Sequence, residues 1–177
     1  MTKTLVGGGK GWERELVAML RAVPGGYVHR HEPKMAGKIR VSGGLPDFEI
    51  ILHGRVHLVE AKAETGTAAS LGRLVGIDRD CGTGVKPSQA AEMDAATRAG
   101  ASCWIAVRLE VPAAGKRKAD VVQALVPWHV WRGRMEHAEQ ERIHGRDPKA
   151  SIPAAVLWTA GRPLRTVADL VAALEGV

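Results

Sequence analysis

Two acidic residues and a lysine lie beside two neighbouring apolar segments of the chain. Asp47 directly precedes the segment Phe48–Leu52, whereas Glu60 and Lys62 close the segment Val56–Lys62. Acids and a lysine at the tips of paired strands can form a metal-dependent site that cleaves phosphodiester bonds. Such hydrolysis needs an activated water, a neutralised phosphate and a stabilised leaving oxygen, and Mg²⁺ supplies much of this chemistry. The spacing therefore predicts a hydrolytic metal site.

The residue types match the ligands that Mg²⁺ prefers, which are hard oxygens in near-octahedral geometry. Asp47, Glu60 and the backbone carbonyl of Ala61 are the predicted ligands. Side chains two apart on a strand face the same way, so Lys62 points into the same site as Glu60, toward the attacking water or the phosphate. Glu13 borders the buried stripe of a preceding helix, where a carboxylate needs a partner or a metal. An ordinary hairpin with an exposed Glu/Lys pair is the competing interpretation of Glu-Ala-Lys alone.

Local patterns predict the elements that must position these residues. Helical spacing predicts a helix from Trp12 to Val23, ended by Pro24-Gly25-Gly26. Strands are predicted at 27–30, 48–52, 56–62, 103–109 and 120–126, with a turn at 53–55 and further helices from Pro87 to about Gly100, from Pro127 to Asp147-Pro148 and from Thr166 onward. The composition of residues 63–86, rich in Gly, Thr and Ala, predicts a long mobile loop. This order indicates an α/β fold with a mixed central β-sheet flanked by helices.

The length and composition of the chain argue against several other classes of protein. The 177 residues suit one domain, and we expect a core over residues 1–126 with a C-terminal helical extension over 127–177 packed on it, available for dimer or DNA contacts. No segment resembles a signal peptide or a bilayer span, which predicts a cytoplasmic protein without a membrane partner. The two cysteines lack metal-binding spacing, and the pairs His29/His31 and His53/His57 lack a third ligand for zinc.

The charge pattern favours a polyanionic partner. The net charge is +6 and the pI is near 9.7, which indicates contacts to a phosphate backbone, although a basic protein without such a partner would share these values. Few aromatic residues are available for base stacking. The residues predicted to bind DNA are Lys10, Arg30, Lys34, Lys38, Arg40, Ser42, Arg73, Lys86, Lys116, Arg117 and Lys118. The run 116–118 is more typical of a solvated loop than of a phosphate contact.

Three segments resemble the PD-(D/E)xK nuclease superfamily, and within it the Holliday junction resolvases of the archaeal Hjc and bacterial RecU kinds. GKGWERELVAML resembles the opening helix of Hjc-type enzymes, which implies that Glu13 completes the metal site. GLPDFEIILHGRVHLVEAKAE resembles the motif core and carries Asp47, Glu60 and Lys62. KPSQAAEMDAATRAGASCWIAV resembles the following helix and strand, where Gln89 matches a RecU-like glutamine. Hjc-type enzymes carry a serine shortly before the motif Asp that handles DNA; Ser42 lies near that position, although the segment around it is longer than in that family.

The resemblance implies a restriction-endonuclease-like core and a structure-selective DNA endonuclease. Mg²⁺ is the expected cofactor, with Mn²⁺ as a substitute, and the expected partner is branched DNA, above all the four-way junction. A homodimer would present two equivalent sites to the two strands of a nearly two-fold symmetric junction. The Gly-Gly-x-Pro-Asp pattern also resembles VRR-NUC nucleases, so a VRR-NUC-like or restriction-type enzyme acting on flap or duplex DNA is an alternative. A catalytically silent DNA-binding protein is another.

Overall fold

The computed structural model of the protein describes residues 9–31, 34–36, 39–41, 45–70, 85–115, 118–145 and 151–176. The described residues form a six-stranded sheet, two small two-stranded sheets and five helices. In chain order the elements are α1 (Gly9–Arg21), β1 (Tyr27–Arg30), β2 (Lys34–Ala36), β3 (Ile39–Val41), β4 (Phe48–Leu52), β5 (Arg55–Thr65), β6 (Ala68–Ser70), α2 (Pro87–Arg98), β7 (Ser102–Val111), β8 (Asp120–Pro127), α3 (Trp128–Ile143), β9 (Ser151–Pro153), α4 (Ala154–Ala160), β10 (Arg162–Pro163) and α5 (Val167–Glu175).

The large sheet is mixed, with the strand order β1-β4-β5-β7-β8-β10. Strands β5 and β7 are parallel, and the other neighbours in this sheet pair antiparallel. A parallel pair needs a long crossover connection, and helix α2 lies within the one between β5 and β7. The predicted fold class, an α/β fold with a mixed central sheet flanked by helices, is confirmed.

The large sheet has two buried faces, each with its own apolar cluster. We call the side covered by α2 and α3 the α2 face, where Met93 and Trp131 pack on residues of β7 and β8. The opposite side is the α1 face, where Trp12 of α1 and Leu170 of α5 pack on β4 and β5. Alternate residues of one strand point to opposite faces. Leu58 accordingly belongs to the first cluster and Val59 to the second.

The β4–β5 hairpin is closed by a two-residue turn, His53-Gly54, in which both residues have positive φ values of 50° and 75°. Two successive positive φ angles are typical of the type I′ turn, whose twist matches that of the paired strands. The turn sets the register in which Phe48 pairs with Val59. Both of these side chains lie in the cluster on the α1 face. Asp47, next to Phe48, is thereby brought level with the start of the Glu60–Lys62 segment.

The predicted loop over residues 63–86 is wrong in its first part. Strand β5 continues to Thr65, where Ala63 to Thr65 keep their parallel pairing with Arg108 to Glu110 of β7. Strand β6 then pairs with β9, a contact between distant parts of the chain. Residues 71–84 of the predicted loop lie outside the described residues. Composition rich in Gly, Thr and Ala indicated a loop, but the long neighbouring strand β7 supplies backbone partners.

The C-terminal part also differs in detail from the expectation. Pro127 ends β8, where it pairs with Trp104, so helix α3 begins one residue later than predicted. The predicted end of that helix at Asp147-Pro148 lies outside the described residues. Elements β9, α4 and β10 were not predicted, and β10 pairs with β8 as a strand of the large sheet. The division at residue 126 stays a prediction. In the part of the chain that the structure describes, no helix is long and apolar enough to cross a membrane.

Candidate functional site

Asp47 lies beside the middle of strand β5. Its carboxylate oxygen Oδ2 accepts a hydrogen bond of 2.9 Å from the backbone N–H of Ala61. The N–H and C=O of one strand residue point to the same side of the strand, so the carbonyl of Ala61 faces the side on which Asp47 lies. The hairpin thus brings together two of the predicted ligand groups, a carboxylate and a backbone carbonyl.

Glu60 is the most deeply buried of the predicted site residues, with 2% of its side chain exposed. Its oxygen Oε1 accepts hydrogen bonds from Lys62 Nζ at 2.6 Å and from Gln89 Nε2 at 2.8 Å. Both donors come from where the sequence predicted them, two residues along β5 and in the first turn of α2. Glu60 follows Val59 and therefore points to the α2 face, where helix α2 can reach it.

Gln89 is held in one orientation by its place in helix α2. It is the third residue of the helix, and its amide oxygen Oε1 accepts the backbone N–H of Lys86 at 3.1 Å. This is the backward contact of a capping box, which satisfies an N–H group that the helix start would otherwise leave open. Since the amide oxygen is engaged by a donor, the amide nitrogen must face Glu60. Helix capping and orientation of Glu60 are therefore performed by one side chain.

Burial raises the pKa of Glu60 to about 7, because the charged carboxylate is removed from water. The ammonium of Lys62 opposes this rise, and the nearby carboxylate of Asp47 adds to it. The hydrogen bonds from Lys62 and Gln89 lower the pKa by stabilising the charged form. A buried carboxylate with a second carboxylate nearby is an arrangement that a bound cation would stabilise.

One oxygen of Glu60 indicates where such a cation would fit. The oxygen Oε2 is buried and has no hydrogen-bond partner among the described residues. A buried, unpartnered carboxylate oxygen is costly unless a donor or a cation meets it. Asp47, Glu60 and the carbonyl of Ala61 are hard oxygen donors, and Mg²⁺ is commonly held by one or two carboxylates with water and phosphate oxygens filling its other positions. The residues present therefore fit Mg²⁺.

Glu13 is not brought to this group. It lies on α1, the helix that covers the α1 face, and its Oε2 forms an ion pair of 2.9 Å with Arg30 Nη2. In the ranges that the structure describes, no three His, Cys, Asp or Glu side chains are grouped to hold a metal ion. The role of Glu13 as a third carboxylate ligand stays a prediction, and the two-carboxylate set above is the one that the geometry assembles.

The structure describes the side chains of only some of the residues predicted to bind DNA. Lys86 and Lys118 are exposed, and Arg30 is engaged with Glu13. The remaining predictions concern Lys38, Ser42, Arg73, Lys116 and Arg117, which lie outside the described residues, and Lys10, Lys34 and Arg40, whose helix and strand positions are described without their side chains. Lys86 immediately precedes α2 and so lies at the Gln89 end of that helix.

The histidines take separate roles. His53 lies 3.2 Å from a carboxylate oxygen of Glu175 at the turn end of the hairpin. His57 is buried, accepts a hydrogen bond from Trp104 at 3.4 Å, and has a pKa lowered by burial and by the charge of Arg55. The rings of His29 and His31 meet edge to face at 5.1 Å. These contacts are those of packed and paired side chains.

Sequence reasoning gave no role at the site to His31 beyond a weak zinc candidate. Its ring nitrogen Nδ1 lies 2.6 Å from the carbonyl oxygen of Pro46, directly before Asp47. Its other ring nitrogen, Nε2, lies 3.6 Å from Glu49 Oε2. The available signal was the alternation His29-x-His31 at the end of the predicted strand 27–30, but the pairing of β1 with β4 was needed to connect it with Pro46-Asp47.

Comparisons with known proteins leave the family open. No family model and no curated protein sequence matches the chain. Among solved structures, the chain is similar to Archaeoglobus fulgidus Hjc, a Holliday junction resolvase from an archaeal hyperthermophile. The identity is 15% and the TM-score 0.37, over 68% of this chain and 78% of that chain. At these values the likeness decides neither family nor function, and both are argued from the site.

Proposed function

We propose that the protein is a Mg²⁺-dependent, structure-selective DNA endonuclease, and that its substrate is the four-way junction. The observation that carries this proposal is Glu60, a carboxylate with 2% exposure whose Oε1 accepts from Lys62 and Gln89 while Oε2 has no partner among the described residues. Asp47 and the carbonyl of Ala61 border the same space. An acidic pair with a lysine at one end of a hairpin supplies what phosphodiester hydrolysis requires.

Each residue has a role that follows from its contacts. Asp47, Glu60 and the Ala61 carbonyl would hold Mg²⁺, which when bound neutralises phosphate charge and lowers the pKa of water. Lys62 places an ammonium beside Glu60, where it can hold the attacking water or an oxygen of the scissile phosphate. Gln89 binds Oε1 of Glu60 and so fixes the Glu60 carboxylate. The other Glu60 oxygen, Oε2, then points away from the amide of Gln89. Orientation of a ligand by a second residue of this kind is typical of metal sites.

The choice of DNA substrate rests on charge and symmetry. The net charge of +6 favours a phosphate backbone, and Lys86 and Lys118 are exposed. Two symmetric nicks in a four-way junction require two equivalent sites, which a C2 homodimer provides. The residues after 127 are assigned to dimer or DNA contacts. A VRR-NUC-like or restriction-type enzyme would use the same centre on flap or duplex DNA.

The test uses end-labelled four-way junction, flap, duplex and single-stranded DNA, each with Mg²⁺ or EDTA. Wild type is compared with Asp47→Ala and with Asp120→Ala, a matched removal of a carboxylate that is exposed and accepts only the neighbouring Val121 N–H among the described contacts. We expect paired nicks in the junction with Mg²⁺, absent with EDTA and in Asp47→Ala, and unchanged in Asp120→Ala.

Other outcomes separate the alternatives. Metal-dependent cleavage of flap or duplex in preference to the junction would retain the centre and reject the resolvase. Binding of DNA without cleavage in any metal would indicate the catalytically silent protein and would reject the hydrolytic role of Asp47. Mn²⁺ is expected to replace Mg²⁺ in each cleavage assay, since both are bound by carboxylate and carbonyl oxygens.

A further inference from the structure

His31 makes two successive contacts with the chain around Asp47. Its backbone N–H donates to the carbonyl oxygen of Asp47 at 2.9 Å. Its ring nitrogen Nδ1 lies 2.6 Å from the carbonyl oxygen of Pro46. A carbonyl oxygen only accepts, so Nδ1 must carry the hydrogen and donate it. One residue therefore binds the backbone carbonyl on each side of the Asp47 Cα.

The ring of His31 is largely buried, with a carboxylate near its other nitrogen. Its Nε2 lies 3.6 Å from Glu49 Oε2, and 15% of the His31 side chain is exposed. Strand pairing contributes as well, because β1 ends at Arg30 and pairs with β4 in a register that matches Arg30 with Phe48. His31 is thus the first residue beyond the paired strand, opposite the first residue before β4. This place in the register makes the contact with Pro46 and Asp47 available.

These bonds restrict the remaining freedom of Asp47. The ring of Pro46 fixes its own φ angle, and a proline also restricts the residue before it. The backbone rotations that remain are those about the bonds on either side of the Pro46–Asp47 peptide. Each of them would break a hydrogen bond, either by turning the Pro46 carbonyl away from the His31 ring or by moving the Asp47 carbonyl away from the His31 N–H. With both bonds formed, the direction of the Asp47 Cα–Cβ bond is set, and from this position Oδ2 accepts the Ala61 N–H at 2.9 Å.

We propose that His31 is a positioning residue for Asp47: its imidazole holds the Pro46–Asp47 peptide so that the Asp47 carboxylate faces Ala61 and Glu60. The importance of this role for metal binding rests on the proposed function, in which Asp47 is a ligand. The orientation itself does not, because it is defined by the hydrogen bond between the Asp47 carboxylate and the Ala61 N–H. Ligand orientation of this kind is worth about 10- to 100-fold in metal affinity when it is removed.

Three variants test the proposal. His31→Ala removes the donor, whereas His31→Asn retains an amide N–H near the place of Nδ1. His29→Ala is the matched control, since His29 is exposed, lies two residues away on the same strand side, and touches the His31 ring but not Pro46 in the described contacts. The first readout is hydrogen exchange of the Ala61 amide in EDTA by NMR. The second is Mn²⁺ affinity by titration calorimetry, with Asp47→Ala as the reference for loss of the site.

In His31→Ala, we expect the hydrogen of the Ala61 amide to exchange about tenfold faster than in wild type or more. The reason is that the Asp47 carboxylate, which accepts this N–H, is no longer held in place. Mn²⁺ affinity should fall about tenfold or more in the same variant. His31→Asn should recover most of both values, and His29→Ala should match wild type. Should His31→Ala not fold, His31→Gln serves as the loss variant, since its amide nitrogen matches the reach of Nε2 and not that of Nδ1.

Two results would separate failure of this inference from failure of the proposed function. If wild type shows no Asp47-dependent Mn²⁺ binding, the metal site is rejected, while exchange of the Ala61 amide still decides the role of His31. If Ala61 exchange and Mn²⁺ affinity in His31→Ala equal those of wild type, His31 does not position Asp47. Equal loss in His31→Asn and His31→Ala would also overturn the proposal, because the retained donor would then have no effect.

Discussion

Two neighbouring strands carry nearly the same pair of charges, but the structure uses the two pairs differently. Strand β5 has Glu60 and Lys62, and strand β7 has Arg108 and Glu110. On β5, the carboxylate has 2% exposure and the lysine 14%. On β7, Arg108 has 13% exposure, and its two carboxylate partners, Glu15 at 2.6 Å and Glu110 at 3.3 Å, are each 40% exposed.

The difference lies in which partner is buried. Arg108 is a partly buried cation with two acids that retain contact with water, so its charge is satisfied within the protein. Glu60 is a buried anion with one cation, one amide and an oxygen that has no described partner. A charge-x-charge pattern on a strand is therefore ambiguous in sequence. Burial of the acid, together with an unfilled position beside it, indicates a functional centre.

The largest expected effect contrasts matched substitutions in the two pairs. Glu60→Gln should lower Mg²⁺-dependent cleavage by about a thousandfold, since it removes a proposed metal ligand while keeping the size of the side chain. Glu110→Gln makes the same change on β7 and should stay within about twofold of wild type. Single-turnover cleavage of labelled junction measures both. Equal losses in the two variants would remove the functional distinction between the pairs.

The next effect is the dependence of stability on pH. The pKa of Glu60 is raised to about 7 from its ordinary value of 4.5, so the folded state holds this proton more tightly than the unfolded state. The resulting stabilisation is complete below about pH 4.5 and is lost as pH rises through about 7, a change on the order of 3 kcal/mol. Urea unfolding in EDTA at several pH values measures it. Glu60→Gln should flatten this part of the profile, and Glu110→Gln should not.

In the proposed centre, bound Mg²⁺ should counter the loss of folding stability that occurs as pH rises. At pH 8 the Glu60 carboxylate is free to bind a cation, and added Mg²⁺ should raise the free energy of unfolding as its concentration exceeds its Kd. At pH 5.5 the proton competes, and the same Mg²⁺ should have little effect. A Mg²⁺ response in Glu60→Gln equal to that of wild type would place the cation elsewhere.

A smaller effect is expected from the residue that orients Glu60. Gln89→Ala removes the donor to Glu60 Oε1 and the contact to the Lys86 N–H. Cleavage should fall about 10- to 100-fold, mainly through weaker metal affinity. Raising the Mg²⁺ concentration should therefore recover part of the rate, which it should not do for Glu60→Gln. Gln140→Ala, in an exposed position of α3, is the control.

The smallest effect is expected for the ion pair that Glu15 forms on the α1 face of the sheet. Glu15→Gln weakens an ion pair whose acid is 40% exposed. Exposed ion pairs contribute about 0–1 kcal/mol, so the free energy of unfolding should change by less than about 1 kcal/mol and cleavage should be unchanged. Chemical denaturation and the junction assay measure the two quantities. A loss of cleavage without a loss of stability would give this acid a role that its contacts do not indicate.

The part of the site encoded within one hairpin was predictable from the sequence. Asp47, Glu60 and Lys62 are close in the chain, and the His53-Gly54 turn between apolar segments indicates which strands pair. Gln89 was predicted only through the resemblance of its segment to RecU-type resolvases, since no spacing in the sequence connects it with Glu60. The position of Glu13 was harder, because helical spacing shows that it borders a buried stripe but not which face of the sheet that stripe covers.

The remaining omissions have a common physical cause. Strands β6 and β9 are three residues each and β10 has two, which is too short for any periodicity to appear. Their identity as strands comes from partners far along the chain, as in the pairing of Ala69 with Ile152. The contact of His31 with Pro46 is of the same kind, since it exists only after β1 has paired with β4.

The turn at His53-Gly54 has a consequence for the order of folding. A hairpin closed by two residues forms locally, in about 1–10 μs, so Asp47 can meet the Ala61 N–H early in folding. Gln89 reaches Glu60 only when α2 has docked and β5 and β7 have paired in parallel, which requires closure of a long connection. The acidic pair should thus assemble before its orienting amide.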